Sequence, residues 1–340
     1  MLNEELRTAF ANLLGINGPR DIEVLQCSST TATGAIIFHI SARTGRRVDA
    51  IVKTPRDPAA DHAITAEWDI VSQLCRDENF GALVPAPLRR FELDGATFYA
   101  YRGIAGKTML AQFRNRLLSS RDRMRANFAR QALDAALHLH SSHSRAVGGE
   151  ALAEDLRGNL ANLRQLVNDI PSAVESSAMM AAQKLADSGI ELPAGRIHGD
   201  FSPYNLISKS HRGRDCSGII DWEYSEPDRP QHLDVFRFIS GCELMGRRSY
   251  EGGAALLRMC DPSNPAARVM WGPWLTRMSP AHLVVATQPA VYGALWTHFY
   301  FAAAYREQRR QANPAEVGQS TYFRGLLELA AMSASASHTP

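Results

Sequence analysis

The sequence predicts an α+β chain in two parts, a small antiparallel sheet with one helix followed by a larger, mostly helical portion. Three observations carry this. The first hundred or so residues hold strand-like runs joined by turn signals, with one helical run among them. From about residue 107 onward the apolar residues recur at helical spacing. A polar stretch, RIHGDFSPYNLI (196–207), then interrupts the helices, with His, Asp, Pro and Asn inside eight positions.

Taken in order, residues 2–14 read as a short helix stopped by Gly15. Residues 21–55 read as three strands, turning at SSTTATG and ARTGRR. Residues 61–76 place Ile64, Trp68, Val71 and Leu74 on one helical stripe. LRRFELDG and ATFYAYRGI then read as two strands of a hairpin turning at Asp94-Gly95. Residues 123–142 and 172–189 are amphipathic helices, the second ending at Gly189. SGIIDWEY is a short apolar strand with an acid at its end, and further helices close the chain. The expected boundaries are a first lobe over 1–105, a second over 106–330, and a low-complexity disordered tail over 331–340.

Composition excludes several classes. The 340 residues are 45% hydrophobic and 21% charged, enough for a sizeable core. A net charge of +2 implies no nucleic-acid or membrane partner. Five scattered cysteines without a C-x-x-C pair argue against a disulfide framework or zinc site and fit a reducing cytoplasm. The start of the chain does not read as a secretory signal. The most apolar segment, 283–305, carries Gln288, Pro289, Thr297 and His298 and is expected as a buried helix pair, not a membrane span. GIAGKT (103–108) lacks the first glycine of a P-loop, since Tyr101 stands there. His138, His140 and His143 suggest a metal cluster, but no third ligand type is near, so a solvated or packing stripe is expected. Cys216, ahead of a strand, is expected to be inert.

The polar stretch suits phosphoryl transfer, which needs a carboxylate near the attacking hydroxyl, metal ligands beside the phosphates, and a cation on the non-transferred phosphates. Four residues separate Asp200 from Asn205, and Asp221 follows sixteen positions later at a strand end. Hard oxygen donors of this kind suit Mg²⁺.

HGDFSPYNLI followed by IIDWE resembles the aminoglycoside phosphotransferase and choline kinase superfamily, the small-molecule branch of the protein-kinase-like fold. The family pattern H-G-D-x-x-x-x-N, then apolar-apolar-D-x-[DE], is matched in order and spacing. The resemblance implies a bilobal fold that binds ATP (or GTP) and Mg²⁺. It implies Asp200 as the catalytic carboxylate and Asn205 and Asp221 as metal ligands. His198 would support the loop, and Asp234 would brace it through backbone amides. On the nucleotide side it implies Lys53, in VDAIVK, on the phosphates, paired with Glu67 of the following helix, with Asp69 the competing acid. Ser29, Thr30 and Thr31 would cover the phosphates, and Tyr101 and Gly103, near the interlobe linker, and Ile220 would contact the nucleotide.

Only WEYSEPDRPQHL separates Asp221 from Asp234, too short for a peptide platform, so a small-molecule hydroxyl is the expected acceptor. Beyond Asn205 stand twelve acids and fourteen basic residues, no surplus to grip a polycation. This favours a sugar or a related biosynthetic intermediate. An aminoglycoside acceptor and an inactive nucleotide-binding regulatory module are the alternatives. Glu223, Tyr224 and Arg229 are the substrate-side candidates.

Overall fold

The computed structural model describes residues 3–27, 34–43, 48–77, 81–114, 121–140, 145–167, 169–210, 216–244, 277 and 288–310. The chain divides into two compact units. One comprises Met1–Met109 together with Asn205–Ser225, the other Leu110–Tyr204 together with Glu226–Pro340.

The first unit is built on an antiparallel sheet of five strands in the order β1-β2-β3-β5-β4. These are β1 (Ile22–Cys27), β2 (Ala35–Ala42), β3 (Ala50–Pro55), β4 (Pro87–Leu93) and β5 (Ala96–Arg102). Asp94 and Gly95 turn the β4–β5 hairpin with φ of 51° and 75°. Two successive residues in the left-handed region match the right-handed twist of the strands they join.

Alternation along the strands gives the sheet two apolar faces. On one, Ile40, Val52, Phe98 and Ala100 pack against Phe10 and Ala11 of α1 (Glu4–Leu13). The Phe10 ring centroid lies 5.5 Å from that of Phe38 and 6.3 Å from that of Phe98. Asn3 caps α1 by accepting from the Leu6 amide. The opposite face carries Lys53, whose register partners are Ile37 and Tyr99, and Tyr101, opposite Ile51. Against it packs α2 (Pro58–Leu74), whose Trp68 ring meets Tyr99 and Tyr101. Asp57 caps α2 through the Ala60 amide, and Pro58 occupies the first helical position.

The second lobe, expected as one stretch over 106–330, is interrupted, because residues 205–225 belong to the first unit. Hydrogen bonds explain this. β6 (Lys107–Thr108), β9 (Leu206–Ser208) and β10 (Gly218–Ile219) form a small sheet with β9 in the middle. The Ile219 amide also donates to the Leu83 carbonyl at 2.6 Å.

In the second unit, which α3 (Met109–Arg114) enters at Leu110, α4 (Arg121–His140), α5 (Gly149–Leu166), α6 (Ser172–Asp187), α7 (His232–Leu244) and α8 (Pro289–Arg310) accompany a sheet ordered β11-β8-β7. Its strands are β7 (Arg145–Gly148), β8 (Glu191–Ile197) and β11 (Glu226–Pro230). Phe236 of α7 stacks on Trp296 of α8 with centroids 4.1 Å apart and planes 2° from parallel.

Residues 289–310 form one continuous helix. Pro289 opens it at the position where the missing N–H costs nothing. Residues 283–287, and the tail over 331–340, lie outside the described residues. No described helix is long and apolar enough to cross a membrane.

Candidate active site

RIHGDFSPYNLI is the end of a strand, a loop and a second strand. β8 delivers the chain to His198, and β9 begins at Leu206. The chain passes from one unit to the other between Tyr204 and Asn205, so the site residues are described unit by unit.

In the first unit three charged side chains meet. Lys53 Nζ donates to Glu67 Oε2 at 2.7 Å and to Asp221 Oδ1 at 2.9 Å. Glu67 is buried, and its other oxygen accepts from the Trp222 amide at 3.3 Å. One carboxylate thus ties β3 to the segment that carries Asp221. Asp69, the competing acid, is exposed. Burial alone would push the Lys53 ammonium's pKa down, but Asp221 and then Glu67 hold it well above its ordinary value. Burial raises the pKa of Glu67, Lys53 pulls it down, and Asp221 pushes it up again.

Asp221 is one of three described non-glycine residues with positive φ, at 69°. That conformation is uncommon outside glycine, and Asp is among the residues that tolerate it best. The surrounding bonds hold it there. The Ile220 amide donates to the Asn205 carbonyl at 2.9 Å, and Trp222 Nε1 donates to the Ile219 carbonyl at 2.8 Å. Asn205 is buried, while a third of the Asp221 side chain is exposed.

In the second unit the loop after β8 is held by its backbone. The Asp234 carboxylate, fully buried on α7, accepts from the His198 amide at 2.7 Å and the Gly199 amide at 2.9 Å. Gly199 takes φ of 81°, which turns the chain between those amides and Asp200. Burial works to raise the Asp234 pKa, yet the hydrogen bond and charge of His140, the charge of His198 and its amide bring it below its ordinary value. His198 is fully buried and lies edge-on to Phe201, a packing position for this side chain. Asp200 Oδ1 accepts from Arg237 Nε at 2.5 Å.

The remaining expected site residues differ in their surroundings. Ser29, Thr30 and Thr31 lie outside the described residues. Tyr101 is a buried side chain in β5, 2% exposed, and its Oη has no hydrogen-bond partner among the described residues. Burial, then the Glu67 carboxylate, push its pKa well above the usual tyrosine value. The Gly103 amide donates to the Asp49 carbonyl at 2.8 Å, so that donor is already used within the protein. Ile220, Glu223 and Tyr224 are partly buried around Asp221. Arg229 makes a two-pronged ion pair, with Nη1 and Nη2 at 2.7 and 3.0 Å from the two Asp155 oxygens. Burial opposes ionisation of Asp155, but His298 and Arg229 hold it well below the carboxylate range. His140 bonds Asp234, and no group of His, Cys, Asp and Glu among the described residues could hold a metal alone. Burial pushes the Cys216 thiol up to about 11, which suits an inert position.

Two contacts on this loop join segments far apart in sequence: Arg237 on Asp200, and Arg306 Nη1 on the Gly199 carbonyl at 2.7 Å. The i, i+3 spacing of Asp234 and Arg237 on a helix was the available clue.

Comparison with known proteins bears on the family and the fold. Residues 37–243, more than half of the chain, match the model of the phosphotransferase enzyme family, APH. The chain belongs to that family. No curated protein sequence matches it. Among solved structures, the GDP complex of wild-type aminoglycoside 2'-phosphotransferase-IIIa is similar at TM-score 0.57 and 13% identity, covering 98% of this chain and 100% of that one. A GDP and kanamycin complex, APH(2")-IIia, is similar at TM-score 0.56 and 13% identity, covering 99% and 100%. These likenesses show the kinase-like fold.

Proposed function

We propose that the chain transfers the γ-phosphoryl group of ATP or GTP to a hydroxyl of a small molecule, a sugar or related biosynthetic intermediate. The observation that carries this reading is the ammonium of Lys53 held between Glu67 and Asp221. An ammonium kept charged and in place by two carboxylates is suited to the non-transferred phosphates. Family membership supports the reaction class, and GDP in two similar structures supports a nucleotide donor.

The donor set fits a hard cation that takes few protein ligands and completes its shell with phosphates and water. Asn205 is tied through its carbonyl to the residue before Asp221, and the Asp221 carboxylate is partly open to solvent. These two residues would hold Mg²⁺, which when bound neutralises phosphate charge. Asp200 would orient the acceptor hydroxyl and take its proton as the oxygen–phosphorus bond forms and the bond to the β-phosphate oxygen breaks.

The acceptor reading rests on two features. The segment between Asp221 and Asp234 is short. The partner of Asp200 is also a cation, Arg237, which disfavours an acceptor whose reacting hydroxyl sits beside several ammonium groups.

The test is nucleotide consumption, with ATP and with GTP, against a panel of sugars, amino alcohols and aminoglycosides. Turnover with a neutral or anionic hydroxyl compound, abolished in Asp200→Asn, is expected. Turnover only with aminoglycosides would replace the acceptor. Thermal stabilisation by the magnesium nucleotide without turnover of any acceptor would point to a regulatory nucleotide-binding module.

A further inference from the structure

Two side chains of α7 reach the loop that carries Asp200. Asp234 and Arg237 stand three residues apart and so share a helix face. Asp234 takes the loop's amides at His198 and Gly199. Arg237 takes its carboxylate, with Nε 2.5 Å from Asp200 Oδ1 and each side chain about a fifth exposed, at 21%. From α8, Arg306 takes the Gly199 carbonyl. Backbone donors, backbone acceptor and reactive side chain are each held by a different group.

We propose that Arg237 is a positioning residue for phosphoryl transfer, fixing the orientation of the Asp200 carboxylate toward the acceptor hydroxyl. This rests on the assignment of Asp200 as the group that orients that hydroxyl. The Asp234 bonds fix the backbone at 198 and 199 but leave the Asp200 side chain two rotatable bonds. A charge-assisted contact of this length sets the plane of the carboxylate. Because a guanidinium stays protonated throughout the working pH range, the contact does not switch off. It also originates on the same helix as Asp234, so backbone and side chain are referenced to one rigid element. The rate of a positioned reaction is sensitive to such placement, and a shift of about 1 Å can cost about a hundredfold.

A purely structural ion pair would act on stability alone. The experiment therefore uses full-length Arg237→Ala and Arg237→Lys with an acceptor from the panel above, together with crystal structures of the wild type and Arg237→Ala. The expected result is a fall in kcat of about a hundredfold in Arg237→Ala at unchanged nucleotide KM. Arg237→Lys, which keeps a cation but loses the planar fork, should recover part of the loss. Added guanidinium should restore part of the Arg237→Ala activity. In the Arg237→Ala crystal structure the Asp200 carboxylate should be rotated from its wild-type position. A kcat within about twofold of wild type for the folded fraction, or an unmoved Asp200 carboxylate, overturns the proposal. Failure of the wild type to phosphorylate any acceptor overturns the phosphotransferase reading instead, and the pair of crystal structures still decides the positioning. Should Arg237→Ala not fold, Arg237→Lys supplies both readouts.

Discussion

Lys53 Nζ lies 2.9 Å from Asp221 Oδ1 across 168 positions of sequence. The same ammonium is 2.7 Å from Glu67. A single cation therefore balances two carboxylates from different segments of the first unit, and the three cannot be altered independently. Removing the cation leaves two acids facing each other with one of them buried.

Lys53→Met should be strongly destabilising for this reason. Breaking a buried pair by deleting one partner costs about 3–5 kcal/mol, chiefly because a charge is left uncompensated. Glu67→Gln should cost less, since Lys53 keeps Asp221. Both should weaken nucleotide binding. Thermal unfolding with and without magnesium nucleotide measures the two effects separately. Equal melting temperatures for wild type and Lys53→Met would refute the account.

Asp200→Asn tests the chemistry. Loss of a group that takes a proton in the transition state lowers turnover by about 10²–10⁴-fold. Nucleotide binding, the role proposed for Lys53 of the other unit, should be unchanged. Initial rates against nucleotide concentration check this, and a variant retaining most of its kcat removes Asp200 from the mechanism.

Asp234 gives a pH dependence. Its folded-state pKa is depressed below its ordinary value, against the effect of burial, by His140, then by the charge and the amide of His198. A depressed carboxylate contributes stability that is present above its unfolded value and is lost as pH falls through the folded one. Wild type should therefore lose stability relative to Asp234→Asn as pH drops below roughly 4. At neutral pH Asp234→Ala should cost about 1–3 kcal/mol for each amide left unpaired. Denaturant titrations at several pH values supply both comparisons, and parallel curves for wild type and Asp234→Asn would contradict the bracing role.

Tyr101 runs the other way. Its Oη is buried without a hydrogen-bond partner among the described residues, and an unsatisfied buried hydroxyl is costly. Tyr101→Phe should leave the melting temperature of the free protein equal or higher. A large fall would show that the hydroxyl is satisfied in solution.

Phe10 tests the opposite face of the first unit's sheet. It is fully buried against Phe38 and Phe98. Phe10→Ala should cost about 3–5 kcal/mol and leave kcat of the folded fraction unchanged. A cost below about 1 kcal/mol would mean that α1 does not pack there in solution.

Much of this was legible in the chain. The strands of the first sheet, the Asp94-Gly95 hairpin and the helix bearing Glu67 all announce themselves, because alternation, turn chemistry and helical periodicity act over a few residues. The spacing of Asp200, Asn205 and Asp221 was equally open to view, since a loop's reach is set by its length. The short strands β6, β7, β8, β9 and β11 were not foreseen. Strands of two to seven residues, some without side-chain alternation, carry little periodic signal, and their pairing is with distant partners.

Arg229 and Arg237 mark the boundary. In sequence they are two arginines eight positions apart, of which only Arg229 reads as a substrate-side candidate. Which one meets Asp200 and which is taken by Asp155 depends on the rotation of α7 and the placement of α5. Those are set by packing against partners distant in sequence, such as Trp296 against Phe236. Residue order thus specified the chemical groups and their local spacing. Folding selected their partners, because ion pairs form between side chains brought together by burial of apolar surface elsewhere.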